Sequence, residues 1–115
     1  MSYKTLGPIE HIIRFSVNEG NFVYNDDPDI SSYIKTKHKD TIVWVNDEGC
    51  PFSLNFGWNF PFEKYHYEAM AGEKIAIQVP KEAVHGDYKY TIAVYDNDKK
   101  VWIDDPRFII YPPED

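Results

Sequence analysis

The sequence has little of what marks several common functional classes. A single cysteine, Cys50, excludes an internal disulfide. The four histidines share no ligand spacing such as HxH or HxxxH, since they stand at His11, His38, His66 and His85. Structural zinc sites are built from clustered Cys and His side chains. A structural zinc site is therefore not expected.

Positive charge is also scarce, with 12 Lys and Arg against 19 Asp and Glu and a formal net charge of −7. Phosphate backbones and anionic membrane surfaces attract proteins through a positive footprint, so we expect no nucleic-acid partner. No apolar run is long enough to cross a bilayer, and the start MSYKTLGPIEH lacks the apolar segment of a signal peptide. We expect no membrane insertion and a cytoplasmic location as given, or a periplasmic or extracellular one if a leader was removed.

Short alternating segments dominate what is present. Of the 115 residues, 43% are hydrophobic and 17% aromatic, which suits one packed domain over residues 1–115. Eight prolines and six glycines leave no room for long amphipathic helices. Runs rich in Ile, Val, Tyr, Phe and Trp predict strands. These predicted strands are 10–17, 21–25, 41–46, 52–56, 74–79, 87–95, 101–103 and 107–111.

Turn signals separate these strands. NEG at 18–20 and DND at 96–98 offer residues that tolerate left-handed backbone angles, while DDPD at 26–29 and DDP at 104–106 break the chain. Many short strands with turns between them indicate an all-β sandwich or barrel. The connection 57–73 is unusually long, which is typical of a functional loop or of a lid packed over one end.

Two segments carry a resemblance to a known family. VWVNDEGCPFSLNF at 43–56 and HGDYKYTIAVYDNDKK at 85–100 resemble segments of the cupredoxins, the small blue-copper proteins related to plastocyanin. In that family a strand ends in Trp, x, Asn before a short turn and a copper-binding His, and a second strand reads Gly-x-Tyr-x-Tyr-x-Cys. The resemblance covers roughly residues 40–111. It implies a Greek-key β-sandwich of seven to eight strands.

The family's copper ligands are replaced in the matching positions. Phe52 stands where the first His is expected, Ile92 where the Cys is expected and Tyr95 where the second His is expected, and no Met follows Met70. Type-1 copper needs a thiolate, two imidazoles and a weak axial donor. The resemblance therefore implies the fold without copper electron transfer, and we expect no cofactor.

Other candidate reactive groups point to no enzyme. Asp47 and Glu48 precede Cys50, and their negative charge disfavours a reactive thiolate. The carboxylates of the two Asp-rich turns have the oxygen ligands that calcium uses but lack the EF-hand spacing, so we interpret them as solvated turns. These carboxylates are Asp26, Asp27, Asp29, Asp104 and Asp105.

The aromatic excess gives the functional hypothesis. The leading interpretation is a copper-free interaction or structural module that binds a protein partner, or a second copy weakly, through an aromatic surface at the former metal end. The alternatives are a small-ligand or carbohydrate binder that uses the same rings, and a metal binder with unconventional ligands. The segment 57–73 is either a lid or an exposed patch. The predicted binding residues are Phe52, Trp58, Phe60, Phe62, Tyr65, Tyr67, Tyr95 and Trp102.

Overall fold

The structure, a computed structural model, describes residues 8–25, 34–96 and 100–112. Within these residues the chain forms strands and turns and no helix. Eleven strands follow one another in the described chain: β1 (Glu10–Asn18), β2 (Asn21–Tyr24), β3 (Ile34–Thr36), β4 (Thr41–Asn46), β5 (Phe52–Asn55), β6 (His66–Ala69), β7 (Ile75–Gln78), β8 (Gly86–Lys89), β9 (Thr91–Tyr95), β10 (Val101–Asp104) and β11 (Arg107–Ile110).

The strands form three hydrogen-bonded sheets. The first sheet has the order β2-β1-β4-β7, the second β10-β9-β5-β6 and the third β3-β11-β8. Tyr90 alone separates β8 from β9, and its N–H donates to the carbonyl of Pro106, which lies between β10 and β11, at 3.0 Å. The second and third sheets are therefore two parts of one bent layer. The predicted all-β sandwich is confirmed.

Aromatic side chains from both layers meet in the core. Trp44 of β4 is fully buried, and its indole N–H donates to the hydroxyl of Tyr90 at 3.0 Å. The two rings meet edge to face at 5.7 Å between centroids, a favoured aromatic geometry. Burial raises the pKa of Tyr90. The Trp44 and Tyr90 pair therefore joins the two layers with its polar groups satisfied.

The predicted strands match the observed ones, with two omissions and one division. The segment 41–46 coincides with β4, while 87–95 is divided into β8 and β9. The predictions omitted β3 and β6, so the expected seven to eight strands become eleven. Of these two, β6 lies inside the connection 57–73, which is therefore part loop and part strand.

Two of the four predicted turns are confirmed. The NEG turn joins β1 to β2 with positive φ at Glu19 (52°) and Gly20 (82°), as a tight hairpin requires. The DDP segment separates β10 from β11. The prediction for 26–29 lies outside the described residues, and the DND turn does so beyond Asp96.

Candidate binding surface

The turn between β4 and β5, residues 46–51, is tied down by the side chain of Asn46. Its amide donates to the carbonyl of Cys50 at 3.0 Å, and its oxygen accepts from the N–H of Glu48 at 3.0 Å. The Glu48 carboxylate accepts in turn from the N–H of Val17 in β1 at 2.6 Å. These bonds close the turn against the neighbouring strand.

Cys50 is half-buried in this turn beside a cavity of about 260 Å³. Burial raises the pKa of the thiol, and the negative charges of Glu48 and Asp96 raise it further. A thiolate is the nucleophilic form of cysteine. The environment of Cys50 therefore opposes reactivity, as the flanking acids predicted.

The three positions matched to copper ligands do not converge on one point. Phe52 and Ile92 are both in the core, at 1% and 0% exposure. Phe52 lies opposite Val94 across the strands, whereas Ile92 lies opposite Leu54. Tyr95 is on the outer face of β9 and is 44% exposed. Phe52 and Ile92 therefore fill the core in different cross-strand pairs, and Tyr95 faces outward.

The eight predicted binding residues divide between the two ends of β5. Phe52 begins β5 and lies opposite Val94, next to Tyr95, whereas Asn55 ends β5 and lies opposite His66 and Thr91. The expected single aromatic end is therefore corrected to two groups. At the first end are Phe52, Tyr95 and Trp102, and at the second are Trp58, Phe60, Phe62, Tyr65 and Tyr67.

At the first end two of the three aromatic side chains, Phe52 and Trp102, are occupied by contacts with the rest of the chain. Phe52 meets Phe15 edge to face at 5.0 Å. The indole N–H of the half-buried Trp102 donates to the Asp96 carboxylate at 2.9 Å, and the hydroxyl of Tyr95 lies 3.5 Å from that of Ser53. Phe52 and Trp102 therefore offer little free aromatic surface, and Tyr95 is the exposed ring of this end.

At the second end, two of the five rings anchor the loop to the core. Phe62 is 5% exposed and stacks on Phe108 with 5.4 Å between ring centroids. Tyr67 is half-buried with its ring edge to face with Phe56 at 6.0 Å, and its hydroxyl accepts from the N–H of Lys64 at 3.1 Å. Burial raises the pKa of Tyr67. These two rings hold the loop against the core in the manner of a lid.

The other three rings form what we call the aromatic patch, defined as Trp58, Phe60 and Tyr65. Their exposures are 101%, 41% and 56%. Phe60 and Tyr65 lie 6.1 Å apart between ring centroids. The patch lines an apolar cavity of about 460 Å³ together with Asn55 and Gly57. Clustered exposed apolar groups in a soluble protein mark interaction sites.

Local hydrogen bonds fix the base of the loop that bears this patch. The side chain of Asn55 accepts from the N–H of Gly57 at 2.8 Å, and Gly57 has a φ of 67°, a conformation that glycine adopts at no steric cost. The N–H of Phe56 donates to the carbonyl of Tyr65 at 2.7 Å and closes the loop at its base. The patch is thus held on a pinned loop.

The described residues contain neither a group of metal-ligating side chains nor a helix able to span a membrane. In residues 8–25, 34–96 and 100–112 no group of three or more His, Cys, Asp or Glu side chains is placed to hold a metal ion. Within the same ranges, no helix has the length and apolar character needed to span a bilayer.

Comparison with known proteins yields structural likeness alone. No protein-family model and no curated protein sequence matches the chain. A chain of a heme-copper terminal oxidase dimer matches with a TM-score of 0.46 and 12% identity over 91% of this chain and 66% of that one. The McoA multicopper oxidase of Aquifex aeolicus matches with a TM-score of 0.45 and 16% identity over 96% of this chain and 30% of that one.

This chain therefore spans less than two thirds of either matched structure. With TM-scores below 0.5 and identities below 25%, the oxidase chemistry named for those two proteins is not transferred to this chain.

Proposed function

We propose that this chain is a cupredoxin-like, copper-free and non-catalytic interaction module that binds a protein partner through the aromatic patch. The observation that carries the proposal is the full exposure of Trp58 next to the exposed rings of Phe60 and Tyr65. Trp and Tyr dominate the binding energy of protein interfaces when they become buried there. A loop that is held by hydrogen bonds and exposes such rings offers the side chains that a partner would bury at an interface.

The contacts of the loop with the core support this role. Phe62 and Tyr67 hold the loop to the core by ring contacts, so the loop that bears the patch is held in place before a partner arrives. Ordering a flexible side chain at an interface costs about 0.5–1.5 kcal/mol, and a preorganised surface avoids part of that cost. The net charge of −7 favours a protein over nucleic acid or an anionic membrane as the partner.

Affinity capture with matched variants tests the proposal. We expect a protein captured by the wild-type chain to be lost with Trp58→Ala and retained with Tyr95→Ala, because Tyr95 is an exposed ring at the opposite end of β5. Titration of the captured protein should show a loss of about 2 kcal/mol or more for Trp58→Ala, as for a hot-spot residue. Equal binding by both variants would contradict the proposal.

A carbohydrate ligand is the second candidate. Asn55 lines the same cavity as Trp58 and Tyr65, and an amide beside a flat ring can hydrogen-bond a sugar whose apolar face stacks on that ring. Saturable quenching of tryptophan fluorescence by a neutral oligosaccharide, abolished by Trp58→Ala, would favour this candidate. No change across a panel of neutral oligosaccharides would exclude it.

A further inference from the structure

Strand β8 has one hydrogen-bonding edge that faces its own sheet and one that faces away from it. Tyr88 lies opposite Phe108 of β11, and the N–H of Tyr90 donates to the carbonyl of Pro106 on the same side. Peptide groups alternate in direction along an antiparallel strand. The N–H and C=O groups of Asp87 and Lys89 therefore point away from β11.

The strand that could pair with those groups stops short of them. On that side, β9 pairs with β5 as far as the couple Asn55 and Thr91. The chain then leaves the sheet at Gly57 and forms the loop that bears the aromatic patch. Among the strands that the described ranges contain, β8 is consequently an edge strand of its sheet, with β3 at the other edge.

A groove runs beside this edge. Its volume is about 350 Å³, and it lies between residues 59–61 of the loop and residues 82–88, which include most of β8. Phe60 lines both this groove and the cavity of the aromatic patch. The groove and the patch are therefore neighbours on either side of Phe60.

We propose that the partner binds by strand addition: an extended peptide segment lies in the groove and pairs with the outer edge of β8. This inference rests on the proposed function, since it specifies how the protein partner is held. Added strands gain affinity from main-chain hydrogen bonds and specificity from alternate side chains. The groove can supply the main-chain contacts through Asp87, and Phe60 can contact a side chain.

The lining of the groove selects the chemistry of the segment. Glu82 and Asp87 contribute carboxylates, in a protein of net charge −7. Arg107 lies 3.5 Å from Asp87 and offsets part of its charge, whereas neither Arg107 nor Lys89 lines the groove. Glu82 and the net charge of the protein therefore carry the preference for a basic segment. Phe60 and the 70% exposed Val84 supply apolar contact. The segment that fits alternates basic and apolar side chains.

The test uses the full chain and two synthetic heptapeptides, one alternating Val and Lys and one alternating Val and Glu. We expect the Val-Lys peptide to bind saturably and to slow hydrogen exchange at the amide of Asp87, the outward N–H within the groove, by about tenfold or more. The Val-Glu peptide should bind at least about tenfold more weakly because of like-charge repulsion. Tighter binding of the Val-Glu peptide, or protection confined to other strands, overturns the proposal.

Two variants at one position isolate the main-chain bond. Asp87→Pro and Asp87→Ala both lose the carboxylate, but only the proline loses the outward N–H, and proline is tolerated at a strand edge. We expect Asp87→Pro to bind the Val-Lys peptide about tenfold more weakly than Asp87→Ala does. Equal affinities overturn strand addition. If the proline variant does not fold, the exchange map of the wild-type chain decides alone.

The outcomes separate this inference from the proposed function. Loss of peptide binding in Trp58→Ala together with equal binding by both Asp87 variants would leave the patch as the interface and remove the added strand. Dimer formation that requires the β8 edge, measured by sedimentation of the wild-type chain and Asp87→Pro, would replace the peptide with a second copy and overturn the inference. Failure of both heptapeptides to bind would also overturn it, while capture of a protein through Trp58 would still support the proposed function.

Discussion

The two ends of β5 treat their aromatic residues in opposite ways. At the end that begins with Phe52, the ring is 1% exposed and the adjoining turn is closed by the hydrogen bonds of Asn46. At the end that follows Asn55, Trp58 is 101% exposed on a loop pinned by Phe56. At the first end the ring of Phe52 is buried by its own chain, and at the second end the ring of Trp58 is left accessible to a binding partner.

The contrast shows that aromatic content alone does not locate a binding site. Both ends are rich in rings, but the first end exposes the one ring of Tyr95, whereas the patch exposes the three rings of Trp58, Phe60 and Tyr65. Burying apolar surface contributes about 25 cal/mol per Å², so free faces are where a partner gains energy. We call the end of β5 that begins with Phe52 the closed end and the end that follows Asn55 the open end. The closed end supports the fold, and the open end supports the proposed interface.

The largest expected effect is on the free energy of unfolding, which should depend strongly on the ring of Phe52 and little on the ring of Trp58. Phe52→Ala removes a fully buried ring and should lower the free energy of unfolding by about 3–5 kcal/mol. Trp58→Ala removes an exposed ring and should change it by less than about 0.5 kcal/mol. Urea unfolding followed by circular dichroism measures both. A loss at Trp58 as large as that at Phe52 would mean that the patch is part of the core.

Hydrogen bonds of the Asp40 carboxylate hold together a part of the molecule that lies away from the aromatic patch. Its carboxylate accepts from the side chain of His11 at 2.8 Å and from the N–H groups of Ile9 and Lys37, each at 3.0 Å. Burial opposes ionisation of Asp40, but these hydrogen bonds together hold its pKa below the usual value of 3.8. The charged form therefore ties β1, the segment after β3 and β4 together.

The sign of this shift predicts the pH dependence. A lowered folded-state pKa contributes stability above the unfolded value and loses it as pH falls toward the folded value. We expect Asp40→Asn to cost about 1–3 kcal/mol at neutral pH, with the difference from wild type shrinking below about pH 4. Urea unfolding across this pH range measures it, with Glu63→Gln, an exposed carboxylate, as the control. A difference that grows in acid would contradict the assignment.

Two asparagines allow a comparison of the turns at the two ends. Asn46→Ala removes two hydrogen bonds from a part-buried turn and should cost about 1–2 kcal/mol. Asn55→Ala removes one bond from an exposed turn and should cost about 0.5 kcal/mol. Unfolding in urea gives both values under the same conditions. The reverse order would show that the turn before the patch, and not the one before Phe52, is the tighter of the two.

Most of the strands could be predicted from the sequence because the alternation of inward and outward side chains is a local pattern of neighbouring residues. Segment 41–46 shows Ile42 and Trp44 on the inner face and was located correctly. The strand His66–Ala69 was missed because only Tyr67 and Ala69 give it an inward face, and its pairing with β5 comes from a partner distant in sequence. Local pattern cannot supply such pairing.

From the sequence, the candidate site could be predicted only as a set of aromatic residues, without the division into buried and exposed rings. The composition of 57–73 pointed to aromatic surface, but which rings are exposed depends on tertiary partners such as Phe56 and Phe108. Joining that loop to Tyr95 required the strand register, and the register separates them along β5. The edge of β8 could not be predicted either, because 87–95 reads as one uninterrupted strand.

The smallest expected effect concerns the thiol at the closed end. Burial and the charges of Glu48 and Asp96 raise the pKa of Cys50, which lowers its thiolate fraction near neutral pH. We expect alkylation of Cys50 by iodoacetamide to be slower in the folded chain than in urea. Glu48→Gln should accelerate it by removing one negative charge while keeping an acceptor for the N–H of Val17, whereas Glu63→Gln at the other end should not. Faster alkylation in the folded chain would show that this end is open and chemically active, and would remove the contrast between the two ends.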